Sequence, residues 1–177
     1  MKSADVIVIG GGAAGYFTAI NLADMNPNLS VVILERGKEV LTKVKVSGGG
    51  RCNVTHAEFE PKELSQNYPR GGKELLGPFH TFMTGDTIDW FEKRGVVLKI
   101  EEDGRMFPIT DSSQTIIDCF TSETEGLGID VLKNHSVKNI ETEGDHWKIE
   151  TSTEIFTAKK LVIATGSNPK IWKLMEK

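Results

Sequence analysis

A glycine pattern near the start of the chain constrains its fold more than any other feature. Gly10, Gly12 and Gly15 follow one another as G-x-G-x-x-G directly after the apolar run Asp5–Ile9. A helical stretch follows them, and a second apolar run, Val31–Leu34, comes next. Strand, glycine turn, helix and strand in this order predict a Rossmann βαβ unit, which binds a dinucleotide at the turn.

Each glycine of the pattern has its own expected role. Gly10 makes the tight turn, Gly12 lets the backbone approach a diphosphate, and Gly15 lets the helix pack closely on the strand. The amides of the first helical turn, at Ala13 and Ala14, then point toward the phosphates. The sequence therefore predicts cofactor contacts at all five of these residues.

An acidic residue, Glu35, ends the second strand of the unit. A carboxylate at this place accepts hydrogen bonds from ribose hydroxyls and repels a 2′-phosphate, which favours FAD or NAD over NADP. Arg36 follows it directly, and we include this residue in the predicted cofactor site.

Composition excludes several classes of protein. The length of 177 residues suits one domain, and the net charge of −4, with both signs interspersed, does not suggest a nucleic-acid partner. The two cysteines and four histidines form no disulfide or metal spacing. We expect no signal peptide before the first strand, and no apolar run in the sequence approaches the roughly 18 residues that span a bilayer. We expect a cytoplasmic protein with no metal and no membrane partner.

The rest of the chain predicts an α/β fold with a parallel sheet and an antiparallel meander. Three short strands joined by tight turns precede an apolar strand typical of parallel sheets. The chain then stops inside a helix whose apolar stripe has just begun, which suggests a cut. The predicted elements are a short basic helix at Lys38–Val44, a loop at Val46–His56, two helices within Glu63–Arg94, a strand at Val96–Ile100, a helix from Asp111 or Ser112 to about Glu125, strands at Ile129–Leu132 and within His135–Ala158, and the apolar strand Lys160–Ala164.

The loop around Arg51 has an unusual composition. Three consecutive glycines are followed by Arg51, Cys52 and Asn53, so backbone amides, a guanidinium and side-chain amides are clustered. Such groups suit a diphosphate, a ribityl chain or a flavin edge, although an ordinary surface loop is the alternative. We predict cofactor contacts at Ser47, Gly49, Arg51, Cys52 and Asn53. Lys43 and Lys45 precede the loop. Their charges either add positive potential toward the cofactor or belong to a solvated face of the protein. We include Lys43 in the predicted site.

The end of the apolar strand, Ala164-Thr165-Gly166, is predicted to lie against the bound dinucleotide, where ligands of open α/β sheets bind. A simple NAD dehydrogenase follows its second strand with another βα unit, so the meander and this turn favour FAD. A redox disulfide at Cys52 is disfavoured, because Cys119 is distant in sequence and lies on an apolar helix face.

Five motifs, GGGAAG, ILER, KVSGGGRCNVT, GRMFP and LVIATG, resemble the BaiN, YhiN and aminoacetone oxidase family of flavoproteins. The resemblance covers the chain from end to end. It implies a fold of the two-dinucleotide-binding-domain type, with ribose on Glu35, adenine beside the backbone of about Val137, and the Arg51 loop along the cofactor. It also implies that residues 1–177 form an FAD-binding Rossmann-like domain cut before an inserted second domain. Ser167 departs from the glycine that many relatives have.

We therefore predict the FAD-binding part of an oxidoreductase that acts at flavin N5 on an unknown small molecule. No catalytic residue is assigned, the oligomeric state is open, and NAD(P)H is one candidate reductant. Three alternatives remain: an NAD-binding dehydrogenase, a flavoprotein of tRNA modification, and a non-catalytic remnant. The acidic net charge disfavours the second of these.

Overall fold

The computed structural model describes residues 2–176. They fall into two compact units: one combines the chain up to Lys43 with the part from Phe120 onward, and the other is Val44–Cys119. The strands are β1 Lys2–Ile9, β2 Val31–Leu34, β3 Thr55–His56, β4 Leu98–Ile100, β5 Arg105–Pro108, β6 Asp130–Leu132, β7 Val137–Glu143, β8 His146–Thr151 and β9 Ile155–Ile163. The helices are α1 Ala13–Met25, α2 Thr42–Val46, α3 Pro61–Gln66, α4 Gly72–Phe79, α5 Thr84–Glu92, α6 Ser113–Gly126 and α7 Pro169–Met175.

The first unit is built on a six-stranded sheet in the order β6-β2-β1-β9-β8-β7. The pairs of β1 with β2, β1 with β9 and β2 with β6 are parallel, whereas β7, β8 and β9 form an antiparallel meander. Ile7 and Val8 of β1 are both fully buried, so both faces of this strand are covered, as is usual in parallel sheets. The predicted α/β class with a parallel sheet and a meander is confirmed.

The strand β9 differs from its prediction. We expected a short meander strand and a separate parallel strand, but the structure has one strand of nine residues. Its first part pairs with β8, and along its whole length it pairs with β1, from Phe156 opposite Lys2 to Ile163 opposite Ile9. The exposed pair Lys159 and Lys160 looked like a break, yet no residue there prevents an extended backbone.

Lys159 and Asp5 form an ion pair of 2.7 Å on this sheet, and Ser30 donates to the same carboxylate. The hydrogen bond from Lys159, followed by those from Ser30, holds the pKa of Asp5 well below its ordinary value of 3.8. Since the pKa is lower in the folded state, Asp5 stabilises the fold fully above that ordinary value, and the effect is lost as the pH falls toward the lowered pKa.

Asp5→Asn is accordingly expected to lower the urea midpoint at pH 7, and the difference from the wild type should shrink at acidic pH. Urea unfolding at a series of pH values from about 7 to about 2 measures both midpoints. A difference that grows as the pH falls would contradict the assignment of this stabilisation to ionised Asp5.

The second unit contains a three-stranded antiparallel sheet, in the order β3-β5-β4, together with α3, α4 and α5. Three helices replace the two that we predicted between Glu63 and Arg94. Pro78 and Gly85, residue types that commonly interrupt helices, lie inside α4 and α5, and the chain breaks instead before α4, where Gly71 has φ +76°. The strand β5 was not predicted at all, since its four residues show no alternation; it pairs with the neighbouring β4 and with β3, which is distant in sequence.

The structure also shows where two of the predicted helices begin. The helix expected at Lys38–Val44 begins only at Thr42, because Leu41 takes φ +55° and its N–H donates to the carbonyl of Gly11 (2.8 Å). Before α6, Ser112 rather than Asp111 caps the helix, accepting from the amide of Gln114 at 3.3 Å. No helix within residues 2–176 is long and apolar enough to cross a membrane.

Candidate dinucleotide site

Two of the three motif glycines are required by the fold of the first unit itself. Gly10 has φ +118°, and a Cβ placed on it would lie 2.4 Å from the carbonyl oxygen of Ala164. A Cβ on Gly15 would lie 1.9 Å from the carbonyl oxygen of Gly10. Real Cβ atoms do not approach backbone oxygens this closely, so β1, α1 and the end of β9 can pack only with glycine at both places.

Gly12 is different, since nothing in its own structure calls for a glycine. Its φ of −97° and ψ of −176° are open to any residue, and a Cβ there would meet no atom within 4 Å. The space beside its backbone is therefore open. A dinucleotide diphosphate needs such an opening, so this observation fits the predicted cofactor.

The start of α1 is suited to an anion. No side chain caps this helix at Gly12, its first turn holds no acidic residue, and Ala13 and Ala14 are exposed. The first amides of a helix lack intrahelical partners and carry partial positive charge, so oxygen atoms of a bound diphosphate would satisfy them.

The acid after β2 holds the neighbouring loop. One oxygen of the Glu35 carboxylate accepts from the amide of Gly11 at 2.8 Å, and the other accepts from the amide of Gly37 at 2.7 Å. This role was not foreseen from the sequence. Each oxygen keeps a second lone pair, so the expected bond to ribose stays a prediction. Arg36 beside it is exposed.

Glu35→Gln should destabilise the fold by about 2 kcal/mol, because the new amide nitrogen would face one of the two backbone N–H groups as a second donor. Urea unfolding of this variant beside Glu39→Gln, which changes an exposed neighbour in the same way, measures the difference. Equal stability of the two variants would show that the amide contacts contribute nothing.

The end of β9 lies beside the glycine motif, and its predicted contact with a dinucleotide stays a prediction. The amide of Ala164 donates to the carbonyl of Ile9 at 2.8 Å. Next to it, the hydroxyl oxygen of Thr165 is buried and has no hydrogen-bond partner among residues 2–176. Gly166 has φ +57°, and the ammonium of Lys43 lies 3.6 Å from the position of its Cβ.

The start of β7 lies beside Glu35. The amide of His135 donates to the carbonyl of Glu35 at 2.8 Å, and Val137 begins the strand two residues later. Within the first unit the structure therefore gathers the predicted residues Gly10, Gly12, Gly15, Glu35, Lys43, Val137, Ala164, Thr165 and Gly166 around the ends of β1, β2 and β9 and the start of β7. The predicted adenine contact of Val137 stays a prediction.

The glycine loop belongs to the second unit and has a left-handed backbone. Gly48, Gly49 and Gly50 have φ of +56°, +68° and +89°, and Cys52 has φ +62°. A Cβ on Gly48 would lie 2.7 Å from the ring of Phe107, whereas Gly49 and Gly50 have open space around them. Left-handed backbone favours glycine, so the three glycines are explained by conformation alone.

Arg51 is held inside its own unit. Its guanidinium forms a two-pronged ion pair with Glu101, approaches Asp111 at 3.5 Å, and lies over the ring of Phe107 at 4.0 Å. Neither Glu101 nor Asp111 was foreseen, although Phe107 lies in the GRMFP motif. The predicted contact of Arg51 with a cofactor stays a prediction.

The remaining loop residues are also engaged locally. The Ser47 hydroxyl donates to the carbonyl of Val44 at 2.8 Å. The side-chain nitrogen of Asn53, in its better orientation, faces the carbonyls of Thr55 and Met106 at 2.9 and 3.3 Å. Cys52 is only 7% exposed, and burial raises the pKa of its thiol, which disfavours the reactive thiolate form.

This fold and this glycine turn define a Rossmann-type dinucleotide-binding protein. The profile of the HI0933-like protein Rossmann domain matches residues 4–171. The chain belongs to this family, and the predicted family is thereby confirmed.

Three similar proteins show how the chain compares with known ones. It is 32% identical to a ribosomal RNA dihydrouridine synthase of Escherichia coli K12 over 167 residues, which are 94% of this chain and 40% of that protein. It is 24% identical to a 3-dehydro-bile acid delta(4,6)-reductase of Clostridium scindens over 159 residues, 90% of this chain and 38% of that protein. The structure of Thermovibrio ammonificans THI4 superposes with a TM-score of 0.65 at 16% identity, covering 98% of this chain and 62% of that one. The chain thus spans about two fifths of the length of these curated relatives.

Proposed function

We propose that this chain is the FAD-binding part of a flavoprotein oxidoreductase. The observation that carries the proposal is Gly12, whose backbone is open at the uncapped start of α1 although nothing in the fold requires a glycine there. Glu35 stands at the end of the neighbouring strand, where an acid favours a cofactor without a 2′-phosphate.

FAD is favoured over NAD by the order of elements. A meander and the Ala164–Gly166 turn follow β6, in place of the further βα unit of a simple NAD dehydrogenase. The groups proposed to hold the cofactor are the amides of Gly12, Ala13 and Ala14 for the diphosphate, Glu35 for the ribose and the backbone of Val137 for the adenine. The buried hydroxyl of Thr165 is one further polar group that a ligand would satisfy.

The names of the two curated relatives share one type of chemistry. Dihydrouridine differs from uridine by two hydrogens across a carbon–carbon double bond that is conjugated to a carbonyl. A 3-dehydro-bile acid delta(4,6)-reductase acts on double bonds that are likewise conjugated to a carbonyl. We therefore propose reduction of a carbon–carbon double bond activated by a neighbouring carbonyl, with a small molecule as the substrate.

When bound and reduced, FAD would supply the hydride for such a reaction, with a proton completing the saturated product and NAD(P)H as the proposed reductant. The part of the protein described here contributes binding and orientation. Its main-chain amides fix the diphosphate, and the packing of Gly10 and Gly15 keeps those amides in place.

A uridine of ribosomal RNA is the second candidate substrate. The relative named for it is 32% identical to this chain, against 24% for the bile-acid reductase. The net charge of −4 argues against an RNA surface within this chain, and for that reason the small molecule stands first.

The test uses the complete natural gene product that contains this chain. We expect flavin absorbance in the purified protein, bleaching by NADH or NADPH under anaerobic conditions, and reoxidation by a cyclic enone such as cyclohexenone. Mass spectrometry of ribosomal RNA from a strain lacking the gene tests the second candidate, since loss of dihydrouridine would favour RNA as the substrate. A colourless protein that binds no added FAD would refute the flavoprotein proposal and leave the NAD-binding and non-catalytic alternatives.

A further inference from the structure

The side chain of Lys43 crosses to the end of β9. Its ammonium lies 3.4 Å from the hydroxyl of Ser167 and 3.6 Å from the position that a Cβ on Gly166 would take. Lys43 and Ser167 are 124 residues apart, so only the folding of this unit brings the charge to the turn.

That turn also packs on the glycine motif. A Cβ on Gly10 would lie 2.4 Å from the oxygen of Ala164 and 3.1 Å from the nitrogen of Thr165. The ammonium of Lys43 therefore stands over Gly166, directly after the two residues that pack on the first glycine. Ligands of open α/β sheets bind at this carboxyl edge of the parallel strands.

The charge of Lys43 is not neutralised by a carboxylate. Within residues 2–176 Lys43 enters no ion pair, and its ammonium donates only to the hydroxyl of Ser167. Lys2 and Lys159 of the same unit behave differently, because they pair with Glu154 and Asp5 at 2.9 and 2.7 Å. The lysine at the carboxyl edge thus keeps its charge available for an anion.

We propose that Lys43 recognises the diphosphate of the cofactor and makes the site selective for dinucleotides over ligands that lack phosphate. The proposal rests on the function proposed above. The amides of the first turn of α1 and the ammonium of Lys43 would then both contact the anion. The buried hydroxyl of Thr165, which has no partner within the described chain, belongs to the residue before Gly166. A charge-assisted hydrogen bond from an ammonium is stronger than one from a neutral donor, so Lys43 should contribute a large share of the affinity.

Calorimetric titration of the complete gene product that contains this chain, freed of bound flavin, with FAD, ADP and adenosine tests this role. We expect Lys43→Gln to raise the Kd of FAD and of ADP about 10- to 30-fold, and to leave the Kd of adenosine unchanged. Lys43→Arg keeps the charge and should restore most of the affinity. Between about 0.1 M and about 1 M NaCl, where the Debye length falls from about 10 Å to about 3 Å, the salt dependence of FAD binding should be weaker in Lys43→Gln than in the wild type.

Lys2→Gln is the matched control, because it removes the same charge far from the proposed site. Lys2 begins β1 and lies about 23 Å from Ile9, the last residue of this strand before the glycine motif. This variant should leave all three Kd values unchanged. If the wild type binds FAD and Lys43→Gln has the same Kd for FAD, the role of Lys43 is overturned but the proposed function is not. The same holds if Lys43→Gln weakens adenosine binding as much as it weakens FAD binding. A complete wild-type gene product that binds neither FAD nor ADP would overturn the proposed function together with it.

Discussion

Gly12→Val is expected to abolish cofactor binding without unfolding the protein. The valine side chain would fill the open space beside the start of α1, where the diphosphate is proposed to lie. We expect the Kd of FAD to rise more than about 100-fold, on the order of 3 kcal/mol. The fold should lose at most about 1 kcal/mol, because the backbone angles of Gly12 suit valine and only its value as a helix cap is reduced.

Two measurements on the same protein check this separation. Urea unfolding should give nearly equal midpoints for wild type and Gly12→Val in the absence of FAD, and calorimetry should detect FAD binding only in the wild type. Gly12→Ala, with one carbon added, should fall between them in affinity. If Gly12→Val still bound FAD, the proposal that the diphosphate lies at this turn would be wrong.

Gly15→Ala, unlike Gly12→Val, should act on the stability of the fold and lower it by about 3 kcal/mol. Its Cβ would lie 1.9 Å from the carbonyl oxygen of Gly10, and this neighbour is backbone, so it cannot move aside as a flexible side chain would. Either α1 must shift away from β1 or the turn at Gly10 must open.

Gly12→Ala is the matched control for this prediction too, because it makes the same chemical change three residues earlier in open space. Urea unfolding without ligand should show a large loss of stability for Gly15→Ala and a small one for Gly12→Ala. Equal stability of both variants would mean that α1 can move from β1 without cost, and the close packing described above would be wrong.

Gly12→Val and Gly15→Ala distinguish two roles of glycine in this motif: leaving room for a ligand and allowing close packing of the backbone. Gly10 and Gly15 are kept by contacts within the protein, whereas no contact within the protein requires Gly12, and the proposed diphosphate would account for it. The spacing of the motif is the same in either case, so the distinction comes from the surroundings of each Cα.

The βαβ unit was well predicted because its signals are local. The bounds of β2, Val31–Leu34, agree with the predicted ones, and the predicted strand Asp5–Ile9 lies within β1. A run of apolar residues ended by glycine encodes such a strand without help from distant residues. Elements of the second unit were predicted less well. Its strand β5 depends on pairing with β3 and β4, and the break before α4 depends on the left-handed Gly71.

In the candidate site too, the features encoded locally were predicted and those that depend on distant residues were not. Gly10, Gly12, Gly15 and Glu35 were found from spacing, but the bonds of Glu35 to Gly11 and Gly37 were not. Arg51 was chosen for its charge, and its partners Glu101 and Asp111 lie 50 and more residues away.

By itself the sequence determined the Rossmann unit, the place of its glycine turn and the family. These follow from short-range rules of hydrophobic periodicity and glycine conformation, which act over a few residues. Only the tertiary structure decided which groups lie beside the Ala164–Gly166 turn: the ammonium of Lys43, which has no ion pair within residues 2–176, and the buried hydroxyl of Thr165. Such proximity depends on how strands distant in sequence align in one sheet, and no local pattern of residues encodes that alignment.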